Sequence, residues 1–172
     1  MSTTKTFRFD PRLIEKISEV AKKHGQSPNQ FISNTLKWRV SIDPLFPTFD
    51  GIMFGRETFK SIIGIVDTDS LEIAGWELGK KHFVISRTLF ESRGEELSFV
   101  RYISEVLDEH ARWFRIEGGV SETSKKMTLH HNFGVKWSMF LKSYLSSAYE
   151  VVSGAKLFIT TNDTFVKIKF AD

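Results

Sequence analysis

Three groups of side chains have types and spacing that suit chemistry. In the first, Thr4, Thr6 and Arg8 alternate with Lys5, Phe7 and Phe9. On a strand, alternate residues point to opposite faces. One face then offers two hydroxyls and a guanidinium, which can bond base edges and phosphates. In the second, His130 and His131 are adjacent. On a strand they diverge, and no Asp, Glu or Cys stands at ligand-like spacing, so a structural or surface role is expected and no metal. In the third, Trp76, Trp113, Trp137 and Tyr144, with Phe140, are candidates to line a ligand pocket, and core packing is the competing reading. The sequence contains no nucleophile elbow, phosphate-binding glycine loop or H-E-x-x-H pattern. No catalytic residue, cofactor or enzymatic activity is expected.

The background composition narrows the field. The 172 residues are 41% hydrophobic and 26% charged, ordinary for a folded protein, and contain no cysteine. That removes disulfide staples and thiolate sites. No apolar run reaches the roughly 20 residues a membrane helix needs, and the start lacks a signal-peptide pattern, so no membrane contact and a cytoplasmic location are expected. The net charge of +3 divides unevenly. Residues 1–40 hold eight basic and three acidic side chains, a net +5, whereas the remainder holds 16 basic and 18 acidic, a net −2. A basic head on a near-neutral body suits a polyanion partner, and a solvated basic face is the alternative.

The elements that position the first group follow from local rules. Residues 3–9 are rich in β-formers and read as a strand. Asp10-Pro11 supplies a helix cap and a proline at the first helical position. Leu13, Ile14, Ile17, Val20 and Ala21 follow at helical spacing, and His24-Gly25 closes the helix. Ser27-Pro28 repeats the cap, with Phe31, Ile32, Thr35 and Leu36 forming a second stripe to about Val40. One strand and two short helices bury too little surface alone. Two copies pairing their strands antiparallel would bury Phe7 and Phe9 and present a two-stranded ribbon, which fits the major groove.

Residues 3–40 resemble a ribbon-helix-helix DNA-binding domain of the Arc/CopG/MetJ superfamily. The carrying features are Thr-Lys-Thr-Phe-Arg-Phe-Asp, Leu-Ile-x-x-Ile-x-x-Val-Ala and His-Gly-x-Ser-x-x-x-Phe-Ile-Ser. The resemblance implies an intertwined homodimer in which Thr4, Thr6 and Arg8 read bases. It also implies a phosphate grip at the turn of Ser27, Pro28 and Asn29, a helix N-terminus suited to anions. Pro28 lacks an amide donor, so Asn29, Gln30 and the Ser27 side chain must carry the grip. Lys5 stands where the family often has an inward apolar residue and can snorkel toward phosphate instead.

Beyond an extended linker at 41–50, residues 51–172 read as a second, α+β domain. Helices are expected over Phe54–Val66, from an Asp69-Ser70 cap through Phe83, and along Leu97, Val100, Ile103, Val106 and Leu107. Ser92-Arg93-Gly94 separates the last two. Strands are expected over Ala111–Glu117 and Lys126–Phe133, with a turn at Ser121–Ser124. A helix follows over Val135–Val152, ended by Gly154, and then a hairpin across Asn162-Asp163. The order predicts an antiparallel sheet packed on helices. It resembles the topology of 4-vinyl-reductase-like small-molecule-binding domains, which implies a sensor, although the cysteines common in that family are absent. The expected whole is a sequence-specific transcriptional regulator that binds double-stranded DNA as a homodimer, with a body that senses a small-molecule effector or builds tetramers. The alternative is an antitoxin-like DNA-binding protein whose C-terminal region binds a protein partner.

Overall fold

The computed structural model describes residues 5–42, 54–87, 95–121 and 124–170. The chain divides into two compact units, Met1–Asp50 and Gly51–Asp172.

The first unit contains helices α1 (Pro11–Lys23) and α2 (Pro28–Ile42). Asp10 caps α1 by accepting the Arg12 N–H at 2.8 Å, with Pro11 at the first helical position. Gly25 ends it at φ 66°, a left-handed conformation that costs glycine nothing. The Gln26 amide then reaches Ala21 O at 2.9 Å and the Gly25 amide reaches Lys22 O at 3.1 Å, satisfying the last carbonyls. Ser27 Oγ caps α2 by accepting the Gln30 amide at 3.2 Å. Helix α2 includes Ser41 and Ile42, so the expected linker starts too early, and its residues 43–50 lie outside the described residues. The expected strand over 3–9 lies partly outside the described residues, and the described part, Lys5–Asp10, forms no ladder within one chain. A strand needs a partner for its backbone groups, and the described residues of one chain offer this segment none.

The second unit is mixed helix and antiparallel sheet, an α+β arrangement. Its helices are α3 (Arg56–Ile65), α4 (Thr68–Arg87), α5 (Glu95–Arg101), which runs into a π-helical turn at Tyr102–His110, and α6 (Val135–Ser153). The strands are β1 (Arg115–Ser121), β2 (Ser124–His130), β3 (Phe158–Thr161) and β4 (Phe165–Lys169), in the order β1-β2-β4-β3. Two hairpins thus lie side by side, joined through β2 and β4, with α6 connecting them in sequence. Asn162 shapes the β3–β4 turn by accepting the Thr164 and Phe165 amides on Oδ1, each at 2.8 Å.

One sheet face packs on the helices. Met127, Leu129, Val166 and Ile168 meet Phe140, Leu141, Tyr144, Leu145 and Ala148 of α6 in a core that also takes Phe83, Phe99 and Phe170. Helix α4 approaches α6 closely through two glycines. A Cβ on Gly75 would stand 2.6 Å from Phe140 O, and one on Gly79 would stand 2.1 Å from Tyr144 O. Lys136 on α6 ties down the end of α3, donating from Nζ to Gly64 O at 2.8 Å and Val66 O at 2.7 Å.

Several boundaries depart from expectation, among them the end of β1 at Ser121 rather than Glu117 and the start of β2 at Ser124 rather than Lys126, which puts Ser121 and Ser124 in the ladder. Asp67, not Asp69, caps α4: its Oδ1 accepts the Ser70 amide at 2.8 Å and holds the Asp67 carboxyl below its ordinary range. Strand β1 begins at Arg115 rather than Ala111, because the chain first reverses through Arg112 at φ 56°. The Ala111 and Trp113 amides there bond Val106 O and Leu107 O. Strand β2 stops at His130, three residues early, where Phe133 N–H turns back onto His131 Nδ1 at 3.3 Å. Along α5 and its π turn the buried residues are Ser98, Phe99, Tyr102, Ile103 and Leu107, while Leu97 is exposed. Of the expected stripe, Ile103 and Leu107 are buried and Val100 and Val106 pack half-buried against the core, so Leu97 is the position that departs from it. The expected break at 92–94, and residues 122 and 123 of the expected turn, lie outside the described residues.

Candidate nucleic-acid interface and aromatic cluster

In the first unit, Lys5, Thr6, Arg8, Ser27 and Asn29 lie toward solvent, Lys5, Thr6 and Arg8 before the Asp10 cap and the other two at the start of α2. Thr4 lies outside the described residues. The position of α1 sets where the segment carrying Lys5, Thr6 and Arg8 ends. The expected phosphate grip is narrower than its residues suggest. Ser27 Oγ already engages the Gln30 amide, and the Phe31 amide bonds Ser27 O at 2.9 Å. The Asn29 amide, in the first turn, has no carbonyl a turn earlier to reach. It is the backbone donor this helix end presents to an anion.

The same unit leaves six large apolar side chains exposed among its described residues. Phe7 is 64% exposed, Leu36 49% and Val40 75%, and Phe9, Leu13 and Ile14 are exposed too. Ala21 is the single buried residue among the described residues of this unit. Both helices carry N-terminal caps, so these exposed apolar side chains sit on formed local structure.

In the second unit, three of the four aromatic candidates come together. Trp113 stands edge-on to Trp137 at 5.3 Å and to Tyr144 at 5.1 Å between ring centroids. Trp137 stacks on Phe140 at 4.6 Å and donates its indole N–H to Trp113 O at 3.3 Å. Trp137 and Tyr144 are buried and Trp113 half-buried. Trp76 is not part of this cluster: it lies on the exposed side of α4 under the Lys80 ammonium, 5.0 Å from its ring centre. The reason is helical phase, since Leu71, Gly75, Gly79 and Phe83 occupy the face of α4 toward the core.

The cluster has a polar centre formed by residues that sequence reasoning missed. The Tyr144 and Tyr102 hydroxyls bond each other, and His82 Nδ1 lies 3.1 Å from the Tyr144 hydroxyl. Burial raises both phenols above their ordinary range and lowers His82, with Lys81 adding to the latter. The group is therefore a neutral hydrogen-bonding centre. One signal was present: Gly75 and Gly79, four apart, mark a closely packed helix face on which His82 also falls.

The adjacent histidines separate as their spacing requires. His130 pairs with Glu117 across β1 and β2, Nε2 to Oε2 at 2.8 Å. His131 turns inward, its Nε2 2.8 Å from Ser138 Oγ, and Ser138 donates to Asn162 O at 2.5 Å. With the Ser138 proton committed, His131 donates from Nε2 and accepts the Phe133 amide on Nδ1, which specifies a neutral tautomer. Burial, partly opposed by the Asp163 charge, pushes its pKa down to about 4. Among the described residues no three His, Cys, Asp or Glu side chains converge on one point, and no helix is long and apolar enough to cross a membrane.

Neither a family model nor a curated protein matches this sequence.

Proposed function

We propose that the chain is a homodimeric, sequence-specific DNA-binding transcriptional regulator with a ribbon-helix-helix head. The observation that carries this reading is the set of exposed apolar side chains in the first unit, interleaved with exposed Lys5, Thr6 and Arg8. A helix pair with both N-termini capped and with Phe7, Phe9, Leu13, Leu36 and Val40 open to solvent is what half of an intertwined dimer would present. Pairing two copies of the Lys5–Phe9 segment would satisfy its backbone and bury both phenylalanines. It would also turn Thr6 and Arg8 outward on a ribbon sized for the major groove. The Asn29 amide would then take a phosphate at the start of α2.

The second unit has a core of its own, which favours a body with an independent role over a segment that folds onto a protein partner. That role is to sense an effector or to build higher oligomers. The half-buried side chains of His82 and Trp113 are the points where an effector would reach the tyrosine centre.

Selection of bound fragments from a genomic-fragment pool tests the reading. Wild-type protein enriches a discrete sequence at physiological salt, and Arg8→Ala loses that enrichment while remaining dimeric by sedimentation. Wild-type protein that enriches no sequence refutes the regulator reading. An Arg8→Ala protein that retains full selectivity removes Arg8 from base reading.

A further inference from the structure

The second unit, with 16 basic and 16 acidic residues over 51–172, is neutral overall, and that balance conceals a segregation of charge. Helices α3 to α5 with the π turn hold nine acidic and six basic residues. The four strands hold Arg115, Lys125, Lys126, Lys167 and Lys169 against a single acid, Glu117. The sheet register assembles most of that charge on the face away from the helices. One row across the sheet reads Gly119, Lys126, Lys169, Phe158; the next reads Glu117, Thr128, Lys167, Thr160; the third reads Arg115, His130, Phe165. Lys126, Lys167, Lys169 and Arg115 are exposed, and Phe158 is 62% exposed at the end of the lysine row.

Two features of this face are costly in an isolated protein. Lys126 and Lys169 stand directly opposite each other on neighbouring strands, where like charges repel. Phe158 beside them leaves a ring in water. Glu117, the acid of this face, is engaged with His130 rather than with a lysine. A polyanion would relieve the repulsion, and a flat partner would cover the ring.

We infer that the open face of the β1-β2-β4-β3 sheet binds single-stranded nucleic acid, with Lys126, Lys167 and Lys169 on phosphates and Phe158 stacked against a base. Duplex DNA fits less well. Its major groove admits a helix or a two-stranded ribbon, not a four-stranded sheet, and its paired bases offer no free plane to Phe158. An unstacked strand supplies both a phosphate row and base planes. The site is independent of the head: it uses none of the residues proposed to read the operator.

The test uses the full chain, a fluorescent oligothymidylate and anisotropy across a salt series. Wild-type protein binds it, and Lys167→Ala/Lys169→Ala makes the slope of log affinity against log salt shallower by about 1.4, at about 0.7 per lost phosphate contact. Phe158→Ala weakens binding at least about fivefold, since loss of a stacked base costs a factor of that order or more. Arg8→Ala retains oligothymidylate binding, which separates this face from the head. Removing Lys169 also relieves the repulsion with Lys126, so the double variant melts no lower than wild type. Failure of the wild type to bind the oligonucleotide overturns the inference. So does unchanged binding by the double variant. Preference for duplex DNA of random sequence, or for phosphatidylserine vesicles, lost through the same lysines, assigns the face to another partner and overturns it equally.

Discussion

The close approach of α4 to α6 gives a sharp prediction. Alanine ordinarily stabilises a helix interior relative to glycine by about 1 kcal/mol. At Gly79 the added methyl would lie 2.1 Å from Tyr144 O, 2.2 Å from Ser147 Oγ and 2.9 Å from Tyr144 C. Ser147 Oγ can rotate, but the carbonyl belongs to the backbone of the central helix. The helices must separate by close to an ångström, opening the packing around Tyr144 and Phe83. Overpacking of this kind costs about 1–3 kcal/mol, occasionally more, and a backbone obstacle places Gly79 at the upper end. Set against the propensity gain, Gly79→Ala should destabilise the second unit by about 2 kcal/mol, or roughly 8 °C in Tm for a unit of this size. Gly64 in α3 is the control, since a methyl added there would meet nothing within 4 Å. Gly64→Ala should leave stability unchanged or raise it by up to about 1 kcal/mol. Urea denaturation followed by tryptophan fluorescence reads both, because Trp113 and Trp137 lie in the same core. A Gly79→Ala protein as stable as wild type would refute the close α4–α6 contact and the burial of Tyr144 derived from it.

Other outcomes follow from the polar groups. His131 is neutral in the folded protein with a pKa of about 4, against about 6.5 when unfolded, so the unfolded state takes up the proton first as pH falls. Its contribution is fully present above pH 6.5 and is lost as pH drops toward 4. After discounting for its partial exposure, it amounts to about 1–2 kcal/mol. Urea midpoints at about pH 7 and about pH 5 should differ by less in His131→Gln than in wild type, and equal differences would exclude His131 as the source. Tyr144→Phe strands the Tyr102 hydroxyl in a site where Tyr102 is 1% exposed, costing about 1–3 kcal/mol. Adding Tyr102→Phe should restore part of that loss, and strict additivity of the two changes in urea titrations would refute the hydroxyl pairing. Operator affinity should fall steeply with salt, since phosphate contacts release counterions; a flat dependence would exclude the proposed ribbon docking.

How much of this molecule can be read without a structure depends on how far apart the interacting residues lie in the chain. Asp10 capping Arg12, Ser27 capping Gln30, Gly25 closing α1 and Asn162 folding the β3–β4 turn all involve partners close in the chain. Residue type alone signals them, because each bond is made within about one turn. The helix over 135–153 is legible for the same reason, from its broad apolar face. The boundary at Asp67 was missed because Asp69-Ser70 offers the same cap chemistry two residues later. The stripe of Val100, Ile103, Val106 and Leu107 is legible in the same way as the face of 135–153, although Leu97 falls outside the core.

By itself, the sequence determined the head's two capped helices, its basic charge and the alternation of polar and apolar residues before Asp10, all consequences of local backbone preference and side-chain type. It determined as well that the body is α+β and ends in a hairpin. Only tertiary structure decided which of the aromatics share a core: it gathered Trp113, Trp137 and Tyr144 and left Trp76 outside. It alone brought His82 and Tyr102 to Tyr144 from 62 and 42 residues away, made windows of Gly75 and Gly79, and set Lys126 opposite Lys169. These relations depend on strand register and helix approach, which are set by the summed packing of many residues rather than by any short stretch of chain.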